Sequence, residues 1–174
     1  MSNFWRSLWQ GLCLRFGNEA RRVEAASTVL CYREPDKSLT RALKDRSSLV
    51  RARAASSLGR TETQDPLAIE SLENALENDK SPEVRAMATL ALGKIKHEKA
   101  VSPLIDLYLS EDERWQSLAR ICLQGFGEPV IDPLLSQVEA SSPEHRRLLL
   151  DMVGRIVERT GNPHGVSRML EALD

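Results

Sequence analysis

A twelve-residue segment recurs in similar form 34 residues further along the chain, and this repetition restricts the folds open to it more than any other feature. The first copy is LVRARAASSLGR (49–60) and the second is EVRAMATLALGK (83–94). The matching positions include Val50, Arg51, Ala54, Leu58 and Gly59 with Val84, Arg85, Ala88, Leu92 and Gly93. Looser copies follow at 114–127 and 144–156. A fixed period of this length indicates one supersecondary unit repeated along the chain.

Shorter stretches with leucine-like residues three or four positions apart lie between these copies, at 38–45, 68–79, 100–110, 130–140 and 165–174. That spacing is typical of a helix with one apolar face. Ser81-Pro82 and Ser142-Pro143 are start signals for the longer helices. The sequence therefore predicts an all-α chain of about five pairs, each a longer helix followed by a shorter one, at about 18–45, 46–80, 81–111, 112–141 and 142–174. Neighbouring pairs must stack, because one pair cannot bury its apolar stripe alone.

The pattern resembles the HEAT repeat family, most closely the short HEAT-like repeats first named for phycobilin lyases, over residues 18–174. The shared motif is an aspartate followed six residues later by the arginine of a Val-Arg pair, as in Asp45 with Arg51 and Asp79 with Arg85. The resemblance implies a right-handed α-α superhelix, the HEAT-like solenoid, in which these four residues form a structural ladder between adjacent repeats. The later copies lack the motif, so the ladder is expected to end after two rungs.

Three glycines, Gly59, Gly93 and Gly154, stand at the same position of their copies. Each costs roughly 1 kcal/mol against alanine inside a helix. Their shared position predicts a neighbouring backbone, that of the shorter helix, too close to admit a Cβ. Trp115 stands where the first two copies have valine, and we expect it to fill the core, with an exposed anchor for a partner as the alternative.

Residues 1–17 form an amphipathic segment with large apolar side chains at helical spacing. Besides Phe4, they are Trp5, Leu8, Trp9, Leu12 and Phe16. The interpretation we favour is a capping helix that covers the open apolar end of the first repeat. Two others stay open: a helix that lies on a membrane surface, or a docking helix for a groove on a partner.

Signals for catalysis or metal binding are nearly absent. His97-Glu98 is a single His-Glu pair in a predicted loop, and no zinc-ligand spacing, Walker A, GxSxG or GxGxxG motif occurs. Cys13, Cys31 and Cys122 are dispersed, as expected for buried thiols in a reducing compartment. The sequence shows no apolar run near the length of about 20 residues that spans a bilayer and no secretory signal. We therefore expect a cytoplasmic protein that is not an enzyme and holds no metal or cofactor.

Charge is divided unevenly along the chain. Residues 1–60 carry 12 Lys and Arg against 5 Asp and Glu, a net of +7, whereas residues 61–174 carry 12 against 20, a net of −8. In HEAT-like stacks the shorter helices are expected to line the concave side, so the resemblance implies a groove graded from basic to acidic. By register, the residues that face it are Arg41, Lys44, Glu73, Asn74, Glu77, Asp106, Leu109, Ser136, Glu139 and Glu171. Such a groove suits a charged peptide or helix.

The favoured function is a non-enzymatic scaffold or adaptor that holds a protein partner on this concave surface. Repeat resemblance alone suggests an alternative, a phycobilin lyase or chaperone-like relative that handles a chromophore or its protein. The basic residues of 1–60 suggest a second alternative, nucleic-acid binding. The acidic remainder of the chain would repel phosphate, so this interpretation is the weaker one, as is membrane binding through residues 1–16.

Overall fold

The computed structural model describes residues 3–28, 35–161, 166–168 and 170, and of residues 3–8, 10, 35 and 36 it describes the backbone alone. Every regular element in these ranges is a helix. They are α1 (Asn3–Phe16), α2 (Glu19–Ser27), α3 (Pro35–Ala42), α4 (Ser48–Thr61), α5 (Pro66–Asn78), α6 (Pro82–Lys94), α7 (Val101–Tyr108), α8 (Glu113–Phe126), α9 (Ile131–Ser136) and α10 (Pro143–Thr160). Short 3-10 turns, Glu98–Ala100 and Glu128–Val130, lead into α7 and α9. The predicted all-α repeat fold is confirmed.

The start signals act where the sequence places them. Ser81 is the N-cap of α6 and Ser142 that of α10, each followed by proline in the first turn. Ser142 Oγ accepts a hydrogen bond from the backbone N–H of His145. Asp65 caps α5 by accepting from the N–H of Leu67. The side-chain hydrogen bonds of Ser142 and Asp65 satisfy N–H groups that the first turn of a helix leaves without partners, whereas the Ser81 side chain makes no capping hydrogen bond.

The helices group into two compact units, Met1–Ile95 and Lys96–Asp174. In the first unit α2, α4 and α6 pack side by side, α3 packs beside α5, and α1 packs mainly on α2. In the second unit α8 packs beside α10, and α7 beside α9. Within each unit every helix of the set predicted to be short packs on the following helix of the set predicted to be long: α3 on α4, α5 on α6, α7 on α8 and α9 on α10. We keep the names short and long for these two sets, although α5 and α6 both have 13 residues and α2 has 9.

This packing corrects the predicted phase of the repeat. The pairs predicted at about 46–80 and 112–141 join a long helix to the short helix after it, yet α4 makes only sparse contact with α5. The closely packed hairpin is instead the short helix with the next long one, as in α5 and α6, which are joined by the turn at 79–81. Periodicity fixes the length of a repeat, whereas the point at which its hairpin begins depends on which neighbours share an apolar face.

Matched positions of the first two copies have matched environments. Val50 and Val84 are fully buried, as are the pairs Ala54 with Ala88 and Leu58 with Leu92. The correspondence extends beyond the helices, because Glu62 and Lys96, again 34 residues apart, both have left-handed backbone conformations with φ of 49° and 58°. The predicted equivalence of the two copies is confirmed.

The looser copies also supply core residues to the second unit. Ala119 and Leu123 are fully buried in α8, and Val153 and Ile156 are fully buried in α10. Trp115, which we expected to fill the core, is only half-buried, and the Arg114 guanidinium carbon lies 5.7 Å from its ring centroid. An indole too large for the valine position remains at the edge of the helix contact and stacks with an arginine there.

Two arginine–aspartate pairs join neighbouring long helices of the first unit. Arg51 in α4 donates to both carboxylate oxygens of Asp79 at 2.7 and 2.8 Å. Arg22 in α2 donates in the same two-bond manner to Asp45 at 2.8 and 3.2 Å. Arg85, the last of the four predicted ladder residues, donates instead to the backbone carbonyl of Asp79 at 2.8 Å. The first arginine of these arginine–aspartate pairs is therefore Arg22, which we had counted among the basic residues of 1–60.

Each aspartate of these pairs also starts the next long helix. Asp45 accepts from the N–H of Ser47 at 2.8 Å, and Asp79 from the N–H of Ser81 at 2.9 Å. The Arg51 and Asp79 side chains are only 16% and 9% exposed, so their charges are shielded from water. The hydrogen bonds from Arg51 hold the pKa of Asp79 below its usual range, against the opposing effect of burial. The pair is a fixed part of the fold.

The prediction that a neighbouring backbone leaves no room for a Cβ is correct at Gly59, but the neighbouring helix is not the one predicted. A Cβ added at Gly59 would lie 2.7 Å from the Cα of Ala91 and 3.0 Å from its Cβ. Ala91 belongs to α6, so the close backbone is that of the next long helix and not that of a short helix. At Gly154 no atom lies within 4 Å of such a Cβ, so the prediction is wrong there. The shared sequence position does not carry a shared packing constraint.

Candidate protein-binding groove

A groove of about 650 Å³ lies between the short helices α3 and α5 of the first unit. Its lining residues are Thr40, Leu43, Lys44, Leu67, Glu70, Ser71, Asn74, Ala75, Asn78 and Asp79. The apolar part of the lining consists of the buried Leu43 and Ala75 and the exposed Leu67, while Lys44, Glu70, Asn74 and Asn78 are exposed polar residues. The groove, which we call the α3–α5 groove, is thus an open surface feature with polar and apolar surface in similar amounts.

Helical register explains why α5 presents this surface. Ala68, Leu72 and Ala75 recur at intervals of four and three residues and are buried against the rest of the unit. Ser71, Asn74 and Asn78 recur at the same intervals on the neighbouring stripe. Because Ala75 is small, the space between the two helices at this point stays open.

Hydrogen bonds fix part of the polar lining. Asn78 Nδ2 donates to Asn74 Oδ1 at 3.0 Å, which links two successive turns of α5. Ser71 Oγ donates to the carbonyl of Leu67 at 2.7 Å. Asp79, at the end of the groove, is held by Arg51. Polar groups whose positions are already fixed lose little conformational entropy when a partner binds.

The two helices give the groove opposite charges on its two sides. On the α3 side, the lining residue Lys44 is an exposed cation, and Arg41, also exposed, lies nearby in α3 outside the lining. On the α5 side, Glu70 is exposed, and α5 contains three glutamates and no lysine or arginine. The field across the groove therefore runs from a basic side to an acidic side.

The structure places the predicted concave residues on the short helices or just after them. Lys44 and Asn74 line the α3–α5 groove, whereas Arg41, Glu73 and Glu77 are not among its lining residues. In the second unit Asp106 and Ser136 are exposed on α7 and α9, Leu109 is half-buried after α7, and Glu139 is exposed after α9. Glu171 lies outside the described residues.

Sequence reasoning missed most of the groove lining. Glu70, Ser71 and Asn78 lie three or four positions from Asn74 and so share its face, whereas Glu73 and Glu77 lie about 100° around the helix from Asn74 and Asn78. The usable signal was the stripe of small polar residues in α5 at 71, 74 and 78. The predicted register selected residues of both stripes, namely Asn74 together with Glu73 and Glu77.

The predicted capping or docking segment forms α1, with its placed apolar side chains on one exposed face. Trp9 is 52% exposed, Leu12 50% and Phe16 72%. Cys13 is the buried residue of this helix among those whose side chains are placed. The side chains of Trp5 and Leu8 lie outside the described part of the structure. Whatever α1 covers, it leaves these three large side chains in solvent.

In the ranges that the model describes, no three His, Cys, Asp or Glu side chains come together as a metal site. His97 precedes the 3-10 turn Glu98–Ala100. Cys13 and Cys122 are buried free thiols, and Cys31 lies outside the described residues. Over the same ranges, no helix combines the length and apolarity needed to cross a bilayer.

Comparison with known families gives one match. A model of HEAT repeats matches residues 35–124, which are 90 of the 174 residues. The match begins at the first residue of α3 and ends within α8, so it covers three of the short–long hairpins. A comparison with curated proteins finds no match. The resemblance to phycobilin-lyase repeats in particular stays a prediction.

Proposed function

Since the chain belongs to the HEAT repeat family, we propose that it is a non-enzymatic scaffold that binds a segment of a partner protein in the α3–α5 groove. HEAT repeats commonly serve as protein-interaction scaffolds. The single observation that carries the proposal is the open groove, with both polar and apolar lining, between two helices of opposite charge.

The composition of the lining favours a peptide over a small molecule. Sites for small molecules are mostly apolar and enclose their ligand. Here the apolar contribution comes chiefly from Leu43, Leu67 and Ala75, and the remaining seven lining residues are polar or charged. Fixed amide groups such as those of Asn74 and Asn78 can both donate to and accept from a peptide backbone.

Charge defines the kind of segment that would fit. An acidic side chain of the partner would lie towards Lys44, and a basic one towards Glu70. Complementary charges of this type raise association rates and fix orientation more than they raise affinity. The expected partner segment therefore carries both signs of charge, and its binding weakens as salt is added.

The test is affinity capture with the tagged full chain from its native cell, followed by crosslinking of the captured protein. The groove variant Glu70→Lys/Asn74→Lys should lose a protein that the wild type captures, because it places two cations where a basic segment would lie. The matched control is Glu83→Lys, a charge reversal at an exposed position of α6 outside the lining. Capture that is equal in the groove variant and the control would contradict the proposal.

A second variant separates the groove from the neighbouring stripe of α5. Glu73→Lys/Glu77→Lys changes the predicted acidic residues outside the groove lining. If this pair abolishes capture while Glu70→Lys/Asn74→Lys does not, the partner binds the predicted stripe rather than the groove. The proposal also treats the predicted concave residues of the second unit as a separate binding patch. The variant Asp106→Lys/Glu139→Lys tests this patch.

A further inference from the structure

The exposed face of α1 is separate from the α3–α5 groove and has no role in the proposed scaffold. Trp9, Leu12 and Phe16 follow one another at three and four residues, so they share one side of the helix. The helix packs on α2, with Cys13 buried. It is therefore anchored to the fold while it presents a tryptophan, a leucine and a phenylalanine to solvent. An exposed apolar face of this kind marks a site of interaction.

Positive charge accompanies this face. Residues 1–18 contain Arg6 and Arg15 and no acidic residue. The guanidinium carbon of Arg15 lies 5.1 Å from the ring centroid of Phe16, so a cation lies directly beside the apolar face. Residues 1–60 as a whole carry a net charge of +7. The occupant of this face should accordingly be both apolar and anionic.

We propose that the exposed face of α1 binds peripherally to a lipid bilayer with anionic headgroups. Tryptophan and phenylalanine are favoured at the boundary between headgroups and acyl chains, where an amphipathic helix lies in the plane of the membrane. Arg15 can then reach the lipid phosphates while its aliphatic stem stays beside Phe16. An apolar protein groove around the same face would remove Arg15 from water, which is costly unless a carboxylate pairs with it. A headgroup layer leaves the charge hydrated.

The test uses the full chain and sedimentation with vesicles of phosphatidylcholine alone, or mixed with phosphatidylserine. The wild type should bind the phosphatidylserine vesicles more strongly, and added salt should weaken that binding. Leu12→Glu/Phe16→Glu should lower the partition coefficient between vesicles and water by about tenfold or more, since it replaces two membrane-facing apolar groups with charges that anionic lipid repels. Arg15→Gln should lower it about fivefold, from the loss of one surface cation.

The matched control is Ile121→Glu, which introduces the same charge at an apolar side chain of α8 that is 63% exposed. It should bind vesicles as the wild type does. Because all these positions are exposed, circular dichroism should show the same helix content in every variant. The groove variant Glu70→Lys/Asn74→Lys should also bind vesicles undiminished, which separates this proposal from the proposed scaffold.

Three outcomes would overturn the proposal. The first is a wild type that pellets with neither kind of vesicle. The second is equal pelleting of the wild type and Leu12→Glu/Phe16→Glu. The third is a wild-type dimer in light scattering that this double variant dissociates while vesicle binding is absent, since the face would then bind a second copy of the chain.

Discussion

Replacement of Gly59 by alanine tests the closest helix contact in the first unit. The new Cβ would lie 2.7 Å from the Cα of Ala91 and 3.0 Å from its Cβ, both in α6. Carbon atoms pack best at about 3.5–4.0 Å. Relief therefore requires α4 and α6 to separate by about 1 Å at this point. The obstructing Cα belongs to the backbone of a helix, so a change of rotamer cannot provide this space.

The magnitude follows from two opposing effects. Inserting a methyl group into a packed contact costs about 1–3 kcal/mol. Removing a helical glycine gains about 1 kcal/mol, whatever its surroundings. Gly154→Ala provides the second effect alone, because no atom lies within 4 Å of its added Cβ. The free energy of unfolding should thus differ between the two variants by about 1–3 kcal/mol, with Gly59→Ala the less stable.

The measurement is urea unfolding followed by circular dichroism, with each variant compared with the wild type under the same conditions. Gly11→Ala is a second control, because Gly11 belongs to the same unit as Gly59 and also has no neighbour within 4 Å of an added Cβ. Hydrogen exchange at α4 and α6 should report faster opening in Gly59→Ala only. A Gly59→Ala protein as stable as Gly154→Ala would refute the reasoning, since α4 and α6 would then not be in the close contact described.

Four other substitutions test the ladder, the helix ends and the second unit. Asp79→Asn should cost about 2–4 kcal/mol at neutral pH, because it leaves Arg51 without its carboxylate. Folding lowers the pKa of Asp79, so its contribution is present above the unfolded pKa of about 3.9 and is lost as pH falls through the folded value. The free energy of unfolding, measured with urea from neutral to acid pH, should therefore fall more for the wild type than for Asp79→Asn. Parallel curves for the two proteins would contradict this. Lys96→Gly and Glu62→Gly should each stabilise by about 0.5 kcal/mol, since glycine adopts positive φ without strain; a loss of stability in thermal unfolding would count against the left-handed assignment. Tyr108→Phe should cost about 1 kcal/mol, because the buried hydroxyl donates to the carbonyl of Leu148. Burial raises the pKa of Tyr108, so in an absorbance titration its ionisation should occur at a higher pH than that of an unfolded tyrosine. The same transition should be missing from Tyr108→Phe.

The sequence was sufficient to predict the helical repeat fold because equivalent positions of the copies share their burial as well as their residue types. Val50 and Val84 are equivalent because both begin an apolar stripe that has to be buried. Ser142 starts α10 because its side chain and the following proline suit the first turn, whereas at the start of α6 the proline after Ser81 acts without a side-chain cap. These are local preferences, and they agree with the tertiary structure.

Pairings between helices were harder to predict. The partner of Asp45 is Arg22, which lies 23 residues before it in α2, outside the four copies of the repeated segment. Likewise, nothing local distinguishes Gly59 from Gly154, because the difference is whether another helix lies against the position. The groove lining was missed for a similar reason. The register predicted from the leucine positions included Glu73 and Glu77 beside Asn74, whereas the position of α3 determines which stripe of α5 borders an open space.

The residues whose pattern defines the family and the residues that would determine which partner binds occupy different positions. This explains why the family could be predicted from the sequence and the partner could not. Val50, Ala54 and Leu58 recur because their burial stabilises every hairpin. Lys44 and Glu70 are exposed in the groove, and substitutions at exposed positions usually change stability by less than about 0.5 kcal/mol. The fold therefore places almost no constraint on the charges of the groove. Partner choice can change there without disturbing the repeat, so the identity of the partner has to come from binding experiments on these exposed residues.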